Sequence, residues 1–235
     1  MANTYSLDLE RTSSQYAYIA DASQTGLDVT GDISIEVWIK LEQLPSTVSG
    51  TFTVLQKFDV AGQNSYAFQF QSDNKIYCYY SNDGTNATTL ASDAAFVEAG
   101  DVGVWRHVAM AVNVAAKTAV AYKDGVAKAV SSLGGTATSI YNGTSVFKIG
   151  GPNFFDGLID EVRVWSDIRT EAEIIANKDK QLYGNEANLV GYWRFNNNYE
   201  DFTANNNDLT SSGSPVFSTS VPFVDFKAGY FHISI

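Results

Sequence analysis

The sequence predicts an all-β fold, an antiparallel sandwich or barrel, on three observations. Ile33, Ile35, Val37 and Ile39 alternate with Ser34, Glu36, Trp38 and Lys40, the period of a strand whose two faces meet different surroundings. Short segments of this kind are separated by turn signals and not by long helical patterns, which argues against βαβ units. The chain has 235 residues, of which 45% are hydrophobic and 17% charged, so it is long and apolar enough to bury a core.

After residues 33–40, β-rich segments recur at 66–71, 76–80, 105–112, 118–123, 145–149, 157–165 and 189–195. Turn sequences stand between them: Ser-Asp-Asn-Lys (72–75), Asn-Asp-Gly (82–84), Lys-Asp-Gly (123–125), Gly-Gly (134–135) and Gly-Gly-Pro-Asn (150–153). One segment breaks the period. Thr170-Glu-Ala-Glu173 has the spacing of a capping box and is followed by Ile174, Ile175 and Ala176, so a helix of about two turns is expected at an edge or end of the sheets. Residues 196–207 are rich in Asn, carry Glu200 and Asp201 and lack an apolar period, which reads as a surface loop or an acidic ion-binding loop. The Gly/Ser-rich pieces are all turn-length, and no linker splits the chain. Residues 225–235 alternate again, as an extra strand or an interaction tail.

Charge narrows the function classes. Fifteen Lys and Arg against 26 Asp and Glu give a net charge of −11, which argues against nucleic-acid binding and against docking on anionic lipid. No apolar run reaches the roughly 18–20 residues of a membrane span, so no membrane insertion is expected. The single Cys78 excludes an intrachain disulfide framework and a Cys-based zinc site, and mid-strand it reads as a packing thiol. Met1 to Glu10 carry neither the basic start nor the apolar stretch of a signal peptide. Another export route, a removed leader, and a virion or intracellular setting all stay open.

Four stretches together resemble a known family. They are Ser6-Leu-Asp-Leu-Glu10 with Gln15-Tyr-Ala-Tyr-Ile19; Leu27 to Lys40; Trp105-Arg-His-Val-Ala109 with Ala121-Tyr-Lys-Asp-Gly-Val126; and Phe155-Asp-Gly-Leu-Ile-Asp-Glu-Val-Arg-Val-Trp165. A fifth, Leu189-Val-Gly-Tyr-Trp-Arg-Phe195 with Asp201, is similar to the closing strand and its loop. In this order they resemble the laminin-G-like jellyroll of the concanavalin A-like lectin/glucanase superfamily, over roughly residues 5–224. The resemblance implies a two-sheet antiparallel jellyroll β-sandwich with one short helix, occupying residues 1–224. It further implies recognition or adhesion, with carbohydrate or a surface protein as partner, in an extracellular, cell-surface or virion setting. A structural or assembly role, with oligomerisation through 225–235, is the alternative. The family often holds one Ca²⁺; carried over, its ligands are Glu10 and Asp160, with Asp32 and the main chain around 30–32, while Asp28 and Asp156 serve as further ligands or as turn residues.

Some members of this superfamily hydrolyse polysaccharides, and a retaining mechanism needs two carboxylates roughly 5–5.5 Å apart. Strict alternation puts Asp160 with Val162 and Val164, and Glu161 with Arg163 and Trp165, one carboxylate to a face. The strand 33–40 adds only Glu36. Arg106 and His107 point to opposite faces, which disfavours a lyase pair, and His107 reads as structural. No catalytic residue is expected, although Tyr77 and Tyr79 keep a lyase in view. The best ligand face is the hairpin 66–80. With Tyr66, Phe68 and Phe70 toward the core, Gln69 and Gln71 face out; an odd-length turn places Tyr77 and Tyr79 beside them, and an even one reverses the second strand. The odd register gives phenol rings next to amides, a surface on which sugars stack and hydrogen-bond and which also suits protein partners. The four tryptophans, Trp38, Trp105, Trp165 and Trp193, are expected to pack the sheets.

Overall fold

A computed structural model describes residues 3–223, so the tail 225–235 lies outside the described residues. The strands are β1 (Ser6–Leu9), β2 (Tyr16–Ile19), β3 (Ile33–Leu41), β4 (Phe52–Lys57), β5 (Tyr66–Phe70), β6 (Ile76–Ser81), β7 (Ala87–Ser92) and β8 (Arg106–Asn113). They continue as β9 (Thr118–Lys123), β10 (Val126–Gly134), β11 (Phe147–Ile149), β12 (Gly157–Trp165), β13 (Leu189–Trp193), β14 (Thr210–Ser212) and β15 (Val216–Ser218). Sheet A runs β10-β9-β8-β3-β12-β1-β15, with β13 also on β12; sheet B runs β14-β2-β11-β4-β5-β6-β7-β10. Strand β10 belongs to both. Val126 to Ala129 pair with β9, and Val130 to Gly134 pair with β7, so the chain turns the corner of the sandwich within one strand. The all-β jellyroll sandwich with one short helix is therefore observed.

The core lies between the sheets and takes every second residue of each long strand. Ile35, Val37, Val108, Met110, Val162 and Val164 of sheet A meet Leu55, Phe68, Phe70, Cys78, Tyr80 and Phe147 of sheet B, all fully buried. Gly157 opens β12 at φ 128, and a Cβ there would stand 2.2 Å from the Lys40 carbonyl, so the Asp-Gly pair is needed for β12 to approach β3. The helix α1 (Glu171–Asn177) begins where expected, with Thr170 and Glu173 capping each other.

Three expectations are corrected. The second face of β3 does not meet water: Ser34, Glu36 and Trp38 are buried, because α1 and the segment after it lie across the outer face of sheet A. Ile174 packs on Ala109, Ala111 and Tyr122, and Trp38 Nε1 donates to the Lys178 carbonyl at 2.7 Å. Second, β12 does not alternate strictly. Its register with β3 slips between Asp160 and Arg163, and Glu161 sits at φ 52, so one extra residue is accommodated there. Asp160 thus pairs opposite Trp38 on the outer side, and not with Val162 and Val164, which face the core. Third, the Asn-rich loop is not simply surface. Asp201 is buried and accepts from the amides of Tyr192, Thr203 and Asn207 and from the Thr203 hydroxyl, which fills it without an ion.

Candidate functional site

The odd hairpin register is the one adopted: Gln69 pairs with Tyr77 and Ala67 with Tyr79, while Ile76, Cys78 and Tyr80 are buried in the core. Tyr77 and Tyr79 therefore stand on the outer face of sheet B, stacked with centroids 5.9 Å apart and planes 9° from parallel. Gln71 Nε2 donates to the Tyr79 hydroxyl at 2.6 Å, and the Tyr77 hydroxyl donates to Asp73 at 2.9 Å. Phe58 backs Tyr79 at 6.1 Å. Gln69 joins this face but is buried in its floor, donating to Gln56 Oε1 at 3.1 Å.

A second tyrosine pair lies on the same face. Register runs Tyr18, Lys148, Gln56, Ala67, Tyr79 straight across β2, β11, β4, β5 and β6. Four strand spacings separate the two tyrosines, about 19 Å. Tyr16 and Tyr18 are 5.7 Å apart, Phe154 stacks on Tyr16, and the Lys148 ammonium lies over the Tyr16 ring. Sequence reasoning missed Tyr16, Tyr18, Lys148 and Gln56. The signal was present, because Tyr16-Ala-Tyr18 repeats the Tyr-x-Tyr pattern of Tyr77-Cys-Tyr79. Which strands stand between the pairs was not readable from the chain order.

The residues expected to hold calcium do not converge. Asp160 is fully buried and occupied by Asn3 Nδ2 at 2.9 Å and by the Glu161 amide. Asp32 accepts from the Val114 amide at 2.9 Å, holding the loop ahead of β3. Glu10 instead meets Asp8 and Glu42, with ligating oxygens within 4.8 Å of one another. At this corner desolvation raises the Asp8 and Glu42 carboxyls, with Asp156 adding to both and Glu10 and Asp8 to Glu42. Asp156 itself receives the Arg11 amide and the Gln43 side chain, and Asp28 is paired with the buried Lys57. The expected trio Glu10, Asp160 and Asp32 is thus dispersed over three places and does not fit one ion.

The outer face of sheet A holds a different kind of polar group. Arg163 Nη2 lies 3.2 Å from Glu161 Oε2, and Nη1 lies 3.5 Å from Glu36 Oε2. His107 Nε2 is 3.4 Å from Glu36, beyond good hydrogen-bond geometry, so their attraction is chiefly electrostatic. Tyr192 donates its hydroxyl to Glu161, and Arg163 also donates to the carbonyls of Asn177 and Lys180. Burial alone would raise Glu36, but His107 and Arg163 outweigh it and hold the carboxyl below its ordinary value. Burial lowers His107 and raises Glu161 and Asp160. Carboxylates do gather on this face, contrary to one per face. They are at most 1% exposed, however, so no polysaccharide reaches them.

A laminin G-type family model, of the concanavalin A-like lectin/glucanases superfamily, matches residues 11–175. The chain belongs to this superfamily. No curated protein sequence matches it. A Bacteroides ovatus protein described as a candidate carbohydrate-binding protein superposes with a TM-score of 0.62 at 14% identity, over 92% of this chain and 59% of its own. The native heptameric SAP-like pentraxin of Limulus polyphemus superposes with a TM-score of 0.60 at 11% identity, over 94% of this chain and 97% of its own. At these identities the likeness concerns the fold alone, and the chain spans little more than half of the Bacteroides protein. Among the described residues no helix is long and apolar enough to cross a membrane.

Proposed function

We propose that this chain is a non-catalytic recognition module that binds glycan across the outer face of sheet B, in an extracellular, cell-surface or virion setting. The observation that supports it is the row from Tyr18 to Tyr79, two aromatic pairs about 19 Å apart on one face, a span of several sugar rings. The Tyr77 and Tyr79 rings are too close to admit a sugar between them, so a pyranose lies across them from outside. The Tyr79 oxygen accepts from Gln71, which leaves its own O–H to donate to a sugar hydroxyl. A lyase would need one of these phenols as a base near neutral pH. Burial pushes Tyr79 up to about 12 and also raises Tyr77, the wrong direction for that role. Among the described residues no contact of this face runs through Glu10, Asp160 or Asp32, the residues expected to hold calcium.

A glycan array screened with the full chain, in calcium and in chelator, tests the proposal. Equal binding in both buffers is expected. Tyr77→Ala with Tyr79→Ala, and separately Tyr16→Ala with Tyr18→Ala, should each weaken a hit by about tenfold or more, the loss of about 1.4 kcal/mol. Binding that survives both double variants would rule the face out.

A further inference from the structure

A second site lies at the opposite sheet, beside the edge strand β13. Arg194, Asn196, Asn198, Glu200 and Phe202 line a cavity of about 190 Å³, below the roughly 300–1,000 Å³ of drug-sized sites and so fit for a single ring. Arg194 is 8% exposed. Its Cζ lies 3.3 Å from the Phe202 ring centroid and 5.1 Å from that of Tyr192, while Nη2 donates to the Leu182 carbonyl. Among the described residues Nη2 to Leu182 is its one hydrogen bond, so Nη1 is the donor left for a ligand, the unpartnered Nε being buried, and no carboxylate pairs with it. The other two long-sheltered arginines of this face, Arg163 and Arg169, each have one, Glu161 and Glu173.

The neighbouring amides complete a directional pattern. Asn196 Oδ1 is consumed by the amides of Thr4 and Tyr5, at 2.8 and 3.2 Å, so its Nδ2 remains a donor. Asn198 is used the other way: its Nδ2 donates to Glu200 at 2.9 Å, which leaves its Oδ1 as an acceptor. The cavity thus offers unspent donors at Arg194 and Asn196 and acceptors at Asn198 and Glu200. A carboxylate fits the first pair and hydroxyls the second. We propose that this cavity binds an acidic monosaccharide unit, its carboxylate on Arg194 and Asn196 and its hydroxyls on Asn198 and Glu200. Glu200 is the one carboxylate lining the cavity; its Oε2 accepts from Asn198 and Arg194 supplies the opposite charge, while charges beyond a Debye length of about 8 Å are largely screened. The proposal does not depend on the tyrosine face.

Isothermal titration of the full chain with sodium D-glucuronate, D-glucose and sodium acetate tests it. Glucuronate should bind at least about tenfold more tightly than either of the others, as a charge-assisted contact added to hydroxyl contacts requires. Asn196→Asp keeps the acceptor for Thr4 and Tyr5 but replaces the donor with a like charge, and should abolish glucuronate binding at an unchanged melting temperature. Arg194→Lys keeps the charge and loses the fork, and should weaken glucuronate by about tenfold. Glucose binding as tight as glucuronate and equally lost in Asn196→Asp, no glucuronate binding at all, or full glucuronate binding in Asn196→Asp would each overturn the assignment.

Discussion

The two outer faces of the sandwich start from the same sequence pattern and end differently. On sheet A the residues that alternate outward from the core, Ser34, Glu36, Trp38, His107 and Arg163, are roofed by α1 and the segment 178–182; Ser34, Trp38 and Arg163 donate to the carbonyls of Asp167, Lys178 and Asn177, and Glu36 faces His107 and Arg163. On sheet B the outward residues have no such roof; Tyr16, Tyr18, Tyr77 and Tyr79 keep partly exposed rings, with polar residues between the pairs. An outward charge is therefore a fold element on one sheet, while an outward ring is available to a ligand on the other. Period-two alternation cannot distinguish the cases, because it records that a residue leaves the core and not what it meets afterwards.

Breaking the roofed face should have the largest effect. Arg163→Met removes the cation between Glu36 and Glu161 and strips donors from the Asn177 and Lys180 carbonyls. Leaving buried carboxylates unpaired should cost about 3–5 kcal/mol, read as a shift in the urea midpoint. A loss under about 1 kcal/mol would mean that water reaches the cluster and that the two faces differ less than stated.

The same face should also set part of the acid response. Burial, with Arg163 and Lys178, lowers His107 from the ordinary 6.5, against the pull of Glu36. The unfolded chain then takes up the proton first, so this contribution is complete above pH 6.5 and is lost as pH falls toward the depressed folded value. Asp160 and Glu161 act with the opposite sign, their raised values favouring the folded state as pH falls. Comparing the chain with His107→Gln separates the two. From about pH 7.5 to about pH 5.5 the parent should lose stability relative to the variant. Parallel curves would show that His107 is protonated equally in both states.

Much of this molecule was legible because its long strands obey one rule each. Residues 33–40 and 118–123 carry period two, and Thr170 with Glu173 announces a helix by a local hydrogen-bond exchange. What escaped did so for identifiable reasons. Strand β4 slips register between Thr53 and Leu55 and is buried throughout, and β10 is exposed almost everywhere, so neither alternates. The Glu161 irregularity reverses the face of Asp160 with no glycine to mark it. Half of the tyrosine face was found because a hairpin's register depends on its own turn. The other half waited on sheet order, which joins β2 to β6 through three strands distant in sequence.

The floor of sheet B supplies the smallest expected effect and the sharpest contrast with Arg163. Gln56 and Gln69 are buried there, the Gln69 amide donating to Gln56 Oε1 while Gln56 Nε2 has no partner. Gln56→Leu alone should destabilise by about 1–3 kcal/mol, because it leaves the Gln69 amide only a long 3.4 Å contact to Thr53 Oγ1. Replacing both by Leu removes donor and acceptor together and relieves the unpartnered Nε2, so the double variant should return to within about 1 kcal/mol of the parent or exceed it. Chemical denaturation of the two single variants and the double gives the coupling directly. Recovery in the double variant would identify these amides as neutral packing beneath the rings. A double variant as unstable as the sum of the singles would mean that the floor of sheet B, like the roofed face of sheet A, is held by its polar groups.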